Sequence, residues 1–111
     1  MSKFDEEAIA GLRELLGERF KVMVRAYLDD CTQRLEKMKA ALAEHNLPAV
    51  RQEAHGIKGS CRNVGVLVLG DICAEIEKQA HAGDATDLQQ KIAAAEQEFA
   101  AVSIKFKDYL T

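Results

Sequence analysis

The stretch from Glu18 to Glu44, ERFKVMVRAYLDDCTQRLEKMKAALAE, decides the fold. Phe20, Val24, Leu28, Cys31, Leu35, Met38 and Leu42 recur in steps of three and four, with Tyr27 flanking them. That is the period of one apolar face of an α-helix, sustained long enough to be the seam of a bundle. His45 and Asn46 stop the helix. Asn46 is placed to cap the next one, and Pro48 is tolerated in that first turn.

Working outward, each neighbouring segment has the same period and its own punctuation. A short helix is expected from about Asp5 to Leu16, with Ile9, Leu12 and Leu16 on one face and Gly17 ending it. Asp5, Glu6 and Glu7 suit the positive end of its dipole. A third helix is expected from about Leu47 to Val64, with Val50, Ala54, Ile57, Cys61 and Val64 as its stripe and Gly65 as its stop. A fourth runs from about Val66 to Ala82, turning Leu69, Ile72, Cys73, Ile76 and Ala80 inward. Its start could be read as a short strand, but the sequence offers no second strand to pair with it. Thr86-Asp87-Leu88-Gln89 has the form of a capping box, so the last helix is expected from about Asp87 to Leu110. Leu88, Ile92, Ala95, Phe99, Val102, Phe106 and Tyr109 form its seam. Connections this short place consecutive long helices antiparallel. The expected fold is all-α: an antiparallel up-down four-helix bundle with an additional short N-terminal helix, one domain over residues 1–111.

Composition agrees and narrows the function classes. The 111 residues are 48% hydrophobic and 30% charged, the balance of a globular chain. The formal net charge is -3 and there is no dense Lys/Arg run, so nucleic-acid binding has little electrostatic footing. The N-terminus, Met1 to Glu7, is acidic and lacks an apolar signal core, and no stretch is long enough to span a bilayer. A cytoplasmic protein without membrane contact is expected, as a monomer. Cys31, Cys61 and Cys73 form no CxxC pair and fall on the apolar seams, so they read as small buried hydrophobes in a reducing compartment.

The chemistry concentrates in His55-Gly56-Ile57-Lys58-Gly59-Ser60-Cys61-Arg62-Asn63-Val64-Gly65. At roughly 100° per residue, His55 lies about 140° and Gly59 about 180° from the core side of the third helix. Lys58, Arg51 and Arg62 lie on the same flank as His55, and Gln52 is on the outer face too. An exposed glycine in mid-helix costs roughly 1 kcal/mol relative to alanine, which makes sense if something bulky must occupy the space above it. An imidazole in water is mostly neutral at neutral pH and keeps one free nitrogen lone pair, so it is a competent nucleophile toward phosphorus. A phosphoryl group there would be offset by Lys58, with Arg51 or Arg62 nearby. The plainer alternative is an ordinary surface histidine on a charged helix. His45 and His81 sit beside helix ends and read as solvated terminus residues.

This segment closely resembles the signature of histidine-containing phosphotransfer (HPt) domains, and Leu69, Cys73, Ile76 and Glu77 resemble that family's following helix. The likeness extends over the chain in length and helix order, and its specific part is about a quarter of it. It implies that His55 is the phosphorylated residue, that Lys58 assists the phosphoryl group, that Gly59 leaves room for it, and that Asn63 and Gly65 shape the helix end. It implies a relay between aspartates of response-regulator receiver domains, fed by a hybrid sensor histidine kinase. Cys61 stands where Ser or Ala is commoner, and Ile57 where Leu is commoner. Gly56 adds a second glycine beside His55 and is expected to loosen this turn.

Lys58-Gly59-Ser60 has the wrong order for a phosphate-binding Gly-Lys-Ser loop, and there is no carboxylate constellation for magnesium. The chain is therefore expected to be a carrier, not an enzyme with its own ATP site. It needs no cofactor of its own, and Mg²⁺ is expected on the partner receiver. Arg51, Gln52 and Arg62 are expected to contact that partner. A non-phosphorylated helical adaptor that binds a sensor kinase or receiver is the alternative. A hydrolase with His55 as general base is disfavoured because no partner carboxylate is visible in the sequence.

Overall fold

The computed structural model describes residues 3–111; Met1 and Ser2 of the acidic N-terminal stretch lie outside them. Five helices follow in order: α1 Glu6–Leu16, α2 Arg19–Ala43, α3 Leu47–Asn63, α4 Leu67–His81 and α5 Leu88–Asp108. The four long ones form an up-down bundle, in which α2 and α4 each pack on both α3 and α5, and α1 packs against α2. The seams read from the sequence point inward: Val24, Cys31, Met38, Val50, Ala54, Ile57, Cys61, Leu69, Cys73, Ile76, Ala95 and Val102 are buried. Each large aliphatic among them contributes roughly 1.5–3 kcal/mol by leaving water. Tyr27 does more than flank the seam: it is buried, packs edge-on to Phe106 and shares a 3.2 Å hydrogen bond with the Cys61 thiol.

Local chemistry sets the ends. Asp5 caps α1 by accepting from the Ala8 amide at 3.0 Å, and Asn46 caps α3 by accepting from the Ala49 amide at 3.2 Å. Gly65, at φ +77°, turns the chain from α3 into α4, and the Asp5 carbonyl lies too close for a side chain to fit there easily. The segment after it forms no sheet, but Val66 makes one antiparallel bridge to Phe4. Asp5 N–H donates to the Gly65 carbonyl at 2.8 Å and Leu67 N–H to the Lys3 carbonyl at 3.2 Å.

One expected cap does not form. Thr86 is held in the preceding turn: its amide donates to Asp84 Oδ1 at 2.9 Å, and its carbonyl accepts from the Gln79 side chain. The helix starts at Leu88 instead, after Asp87 in the left-handed region at φ +61° and with no side-chain cap. Competing local hydrogen bonds thus won over the box pattern.

The crossing of α3 and α4 does most to position His55. Gly70 of α4 is buried against α3, where a Cβ would come within 3.3 Å of Cys61 Cβ. The two helices approach closely there. Two turns further along α4, and nearly two turns back along α3, the same register brings Glu77 beside His55.

Candidate functional site

His55 projects from the middle of α3 with its side chain 68% exposed, and its Nδ1 lies 2.7 Å from Glu77 Oε2 of α4. Lys58, one turn along α3, places Nζ 2.5 Å from the other oxygen, Glu77 Oε1. One carboxylate therefore bridges the two α3 side chains. The Lys58 hydrogen bond first, and the His55 hydrogen bond after it, hold the Glu77 carboxyl below the ordinary glutamate range against the opposing effect of burial. Glu77 is thus ionised at neutral pH and can only accept. The hydrogen between it and the ring sits on Nδ1, so in the neutral ring the lone pair is on Nε2. Nε2 has no hydrogen-bond partner among the described residues.

The surroundings leave that nitrogen accessible. A Cβ built on Gly59 would meet nothing within 4 Å, so the surface over the turn after His55 is open. On the other side, Pro48, Arg51, Gln52, His55 and Glu77 line a shallow open depression of about 440 Å³. Arg62 is exposed two turns beyond His55, roughly 10 Å along the axis, and is not part of that depression. The structure therefore gathers His55, Lys58, Arg51 and Gln52, leaves Gly59 bare between them and any partner, and sets Arg62 apart.

Two expectations are corrected by this geometry. A carboxylate does stand beside His55. It is invisible as a partner in the sequence because it comes from another helix, 22 residues away, although Glu77 belongs to the family-like stretch. Gly56 leaves α3 unbroken, and the space a side chain would take there is filled by Arg34 of α2, whose guanidinium atoms lie within 2.5–2.8 Å of where its Cβ would be. Chemically, the site is a nucleophilic imidazole with an assigned tautomer, a cation one turn away and open space for an incoming group. Among the described residues no group of three or more His, Cys, Asp or Glu side chains is placed to hold a metal ion, and no helix is long and apolar enough to cross a membrane.

Comparisons with known proteins add an independent line. The model of the Hpt domain family matches residues 22–104, from α2 nearly to the end of α5. Among solved structures, the chain is similar to histidine-containing phosphotransfer protein B (HptB) from Pseudomonas aeruginosa PAO1, with 32% identity, a TM-score of 0.93, and coverage of 96% of this chain and 92% of that one. It also shares its fold with a rice protein classed as a histidine-containing phosphotransfer protein, at 21% identity and a TM-score of 0.82 over 95% of this chain and 77% of the rice chain. No curated protein sequence matches it.

Proposed function

The chain belongs to the Hpt domain family, and from that premise we propose that it carries phosphoryl groups in a phosphorelay, with His55 as the residue that bears them. The observation that carries this reading is the 2.7 Å contact between His55 Nδ1 and Glu77, which leaves Nε2 as the free nucleophile.

The proposed step begins with neutral His55 facing an aspartyl phosphate on a response-regulator receiver, such as one attached to a hybrid sensor histidine kinase. Nε2 attacks the phosphorus and an N–P bond forms. The P–O bond to the aspartate breaks, and its electron pair leaves with the aspartate carboxylate. No proton has to leave Nε2, because the ring proton is already on Nδ1. The phosphorylated ring is then positively charged, and its Nδ1–H points at ionised Glu77, which favours that state. Donation to a second receiver is the same step reversed.

Lys58 shares its charge between Glu77 and the phosphoryl oxygens, and Gly59 leaves the space for the group and its donor. Arg51 and Gln52, beside the depression, and Arg62 further along α3 form the rim that meets the partner. Phosphoryl transfer is mostly positioning and electrostatics, so a small exposed site suffices when the receiver supplies Mg²⁺.

The test is transfer of radiolabel from a phosphorylated receiver to the wild-type chain and to His55→Gln. Label that is acid-labile, base-stable and lost in the folded variant is the expected result. A wild-type chain that binds receivers without taking label would make it a helical adaptor instead.

A further inference from the structure

Gly56 has an occupant on the far side of α3 from Glu77. A Cβ at this position would lie 2.5 Å from the guanidinium carbon and Nη1 of Arg34, and 2.8 Å from its Nε. Arg34 is therefore pressed onto the bare backbone of α3. Its Nε donates to Asp30 Oδ2 at 3.0 Å, and its Nη1 donates to Glu53 Oε1 at 3.0 Å. Ser60 Oγ, also on α3, donates to Asp30 Oδ2 at 3.5 Å. Two carboxylates on two helices thus fix the plane of the guanidinium. Its Nη2 has no hydrogen-bond partner among the described residues, and the side chain is 34% exposed.

This cluster sits on the same outer surface as His55. Gly56 points about 100° around α3 from His55, and Gly59 points between them. The open strip over Gly59 therefore has two walls: Lys58 and Glu77 on the α4 side, and Arg34 with Asp30 and Glu53 on the α2 side. A protein that brings a phosphoryl group to His55 across Gly59 covers both. A clip between α2 and α3 needs only the two ion pairs. Seating the guanidinium on a glycine does something more, because it keeps Arg34 level with α3. An alanine at 56 would lift it into the space that the partner enters.

We propose that Arg34, seated on Gly56, is a docking residue for the receiver, its free Nη2 edge donating to a carbonyl or carboxylate oxygen on the receiver surface. This rests on the phosphotransfer reading of His55. Arg34 with Asp30 and Glu53 carries a net charge of about -1, so the contact acts at short range and selects geometry; long-range attraction falls to Arg51 and Arg62.

The test uses an isolated, Mg²⁺-loaded receiver domain that phosphorylates the wild-type chain, with affinity measured by titration calorimetry at two salt concentrations and folding followed by thermal melts. Gly56→Ala should weaken docking about tenfold, the effect of losing one hydrogen bond to a charged group, while melting no lower than wild type. Arg34→Met should weaken it by the same factor with an unchanged salt slope. The double variant should be no weaker than Arg34→Met alone, because both act through one guanidinium. Wild-type affinity in Gly56→Ala, or additive losses in the double variant, would overturn the proposal. A lower melting temperature with unchanged affinity in Arg34→Met would do the same and reduce Arg34 to a clip. If the wild-type chain itself takes no phosphoryl group from any receiver, the reading beneath the proposal has failed, and that outcome is recognisable because no variant is needed to see it.

Discussion

The two faces of α3 treat reactive groups in opposite ways. The inner face carries Cys61, which meets Cys31 and Tyr27 of α2. All three thiols of the chain are buried. Burial pushes the Cys73 thiol up to about 12, with Cys31 adding to the shift. A hydrogen bond with Cys61, and burial after it, raise Cys31 as well, and burial above all raises Tyr27. Thiolates are strong nucleophiles, but Cys31 and Cys73 are held protonated and all three thiols are out of reach. The outer face carries an intrinsically weaker nucleophile, His55, and gives it access, a defined tautomer and an ionised partner in Glu77. Placement, rather than residue type, decides which group on this helix can react.

The widest gap between the faces should appear in thiol labelling. With a thiol-specific reagent, the native chain should react at least about a thousandfold more slowly than the denatured chain, because labelling needs the bundle to open. One thiol that reacts rapidly in the native state would break the comparison. Next in size is Gly59→Glu, which fills the open strip and adds a negative charge beside the incoming phosphate. Transfer from a phospho-receiver should fall below detection while circular dichroism and melting stay close to wild type. Unimpaired transfer would leave the exposed glycine without a role in admitting the phosphoryl group.

Glu77→Gln should slow transfer roughly 10–100-fold, by analogy with the loss of carboxylates that orient metal-bound histidines. It also has a signature in pH. The folded Glu77 carboxyl sits below its ordinary value of 4.5, so its stabilisation is complete above that range and is lost as pH falls through and below it. The stability difference between wild type and Glu77→Gln, measured by denaturant titration, should therefore be constant near neutrality and vanish in acid. A difference that persists in acid would mean that Glu77 acts through packing. Lys58→Ala should have the smallest effect, a slowing of roughly three- to tenfold, because its charge is partly exposed and already shared with Glu77. A folded Lys58→Ala chain with no transfer at all would assign the lysine a larger part than charge compensation.

What can be read in the sequence is what one helix dictates to itself. The spacing of Val50, Ala54, Ile57 and Cys61 fixes which way His55 and Gly59 face, and the structure agrees. Interhelical partners are not legible, because azimuth on one helix says nothing about the register of the next. Glu77 reaches His55 across the α3–α4 packing, where Gly70 lies close against Cys61. Gly56 misleads for the same reason, since its occupant belongs to α2. The missed turn at Thr86 has a different origin: Gln79 and Asp84 take its backbone groups, and a four-residue pattern cannot reveal that competition. The bridge between Phe4 and Val66 pairs residues 62 positions apart, beyond the reach of any local strand signal.

The emptiness over Gly59 has one more consequence. A group added to His55 at Nε2 would enter open space and displace no buried side chain, so accommodating it needs no repacking of the bundle. On the proposed reading, loading the carrier asks for no change of architecture, and the difference between the two forms is read by a protein that touches the group itself. Such a carrier stores its message as chemistry, and swapping partners requires no resetting of the fold.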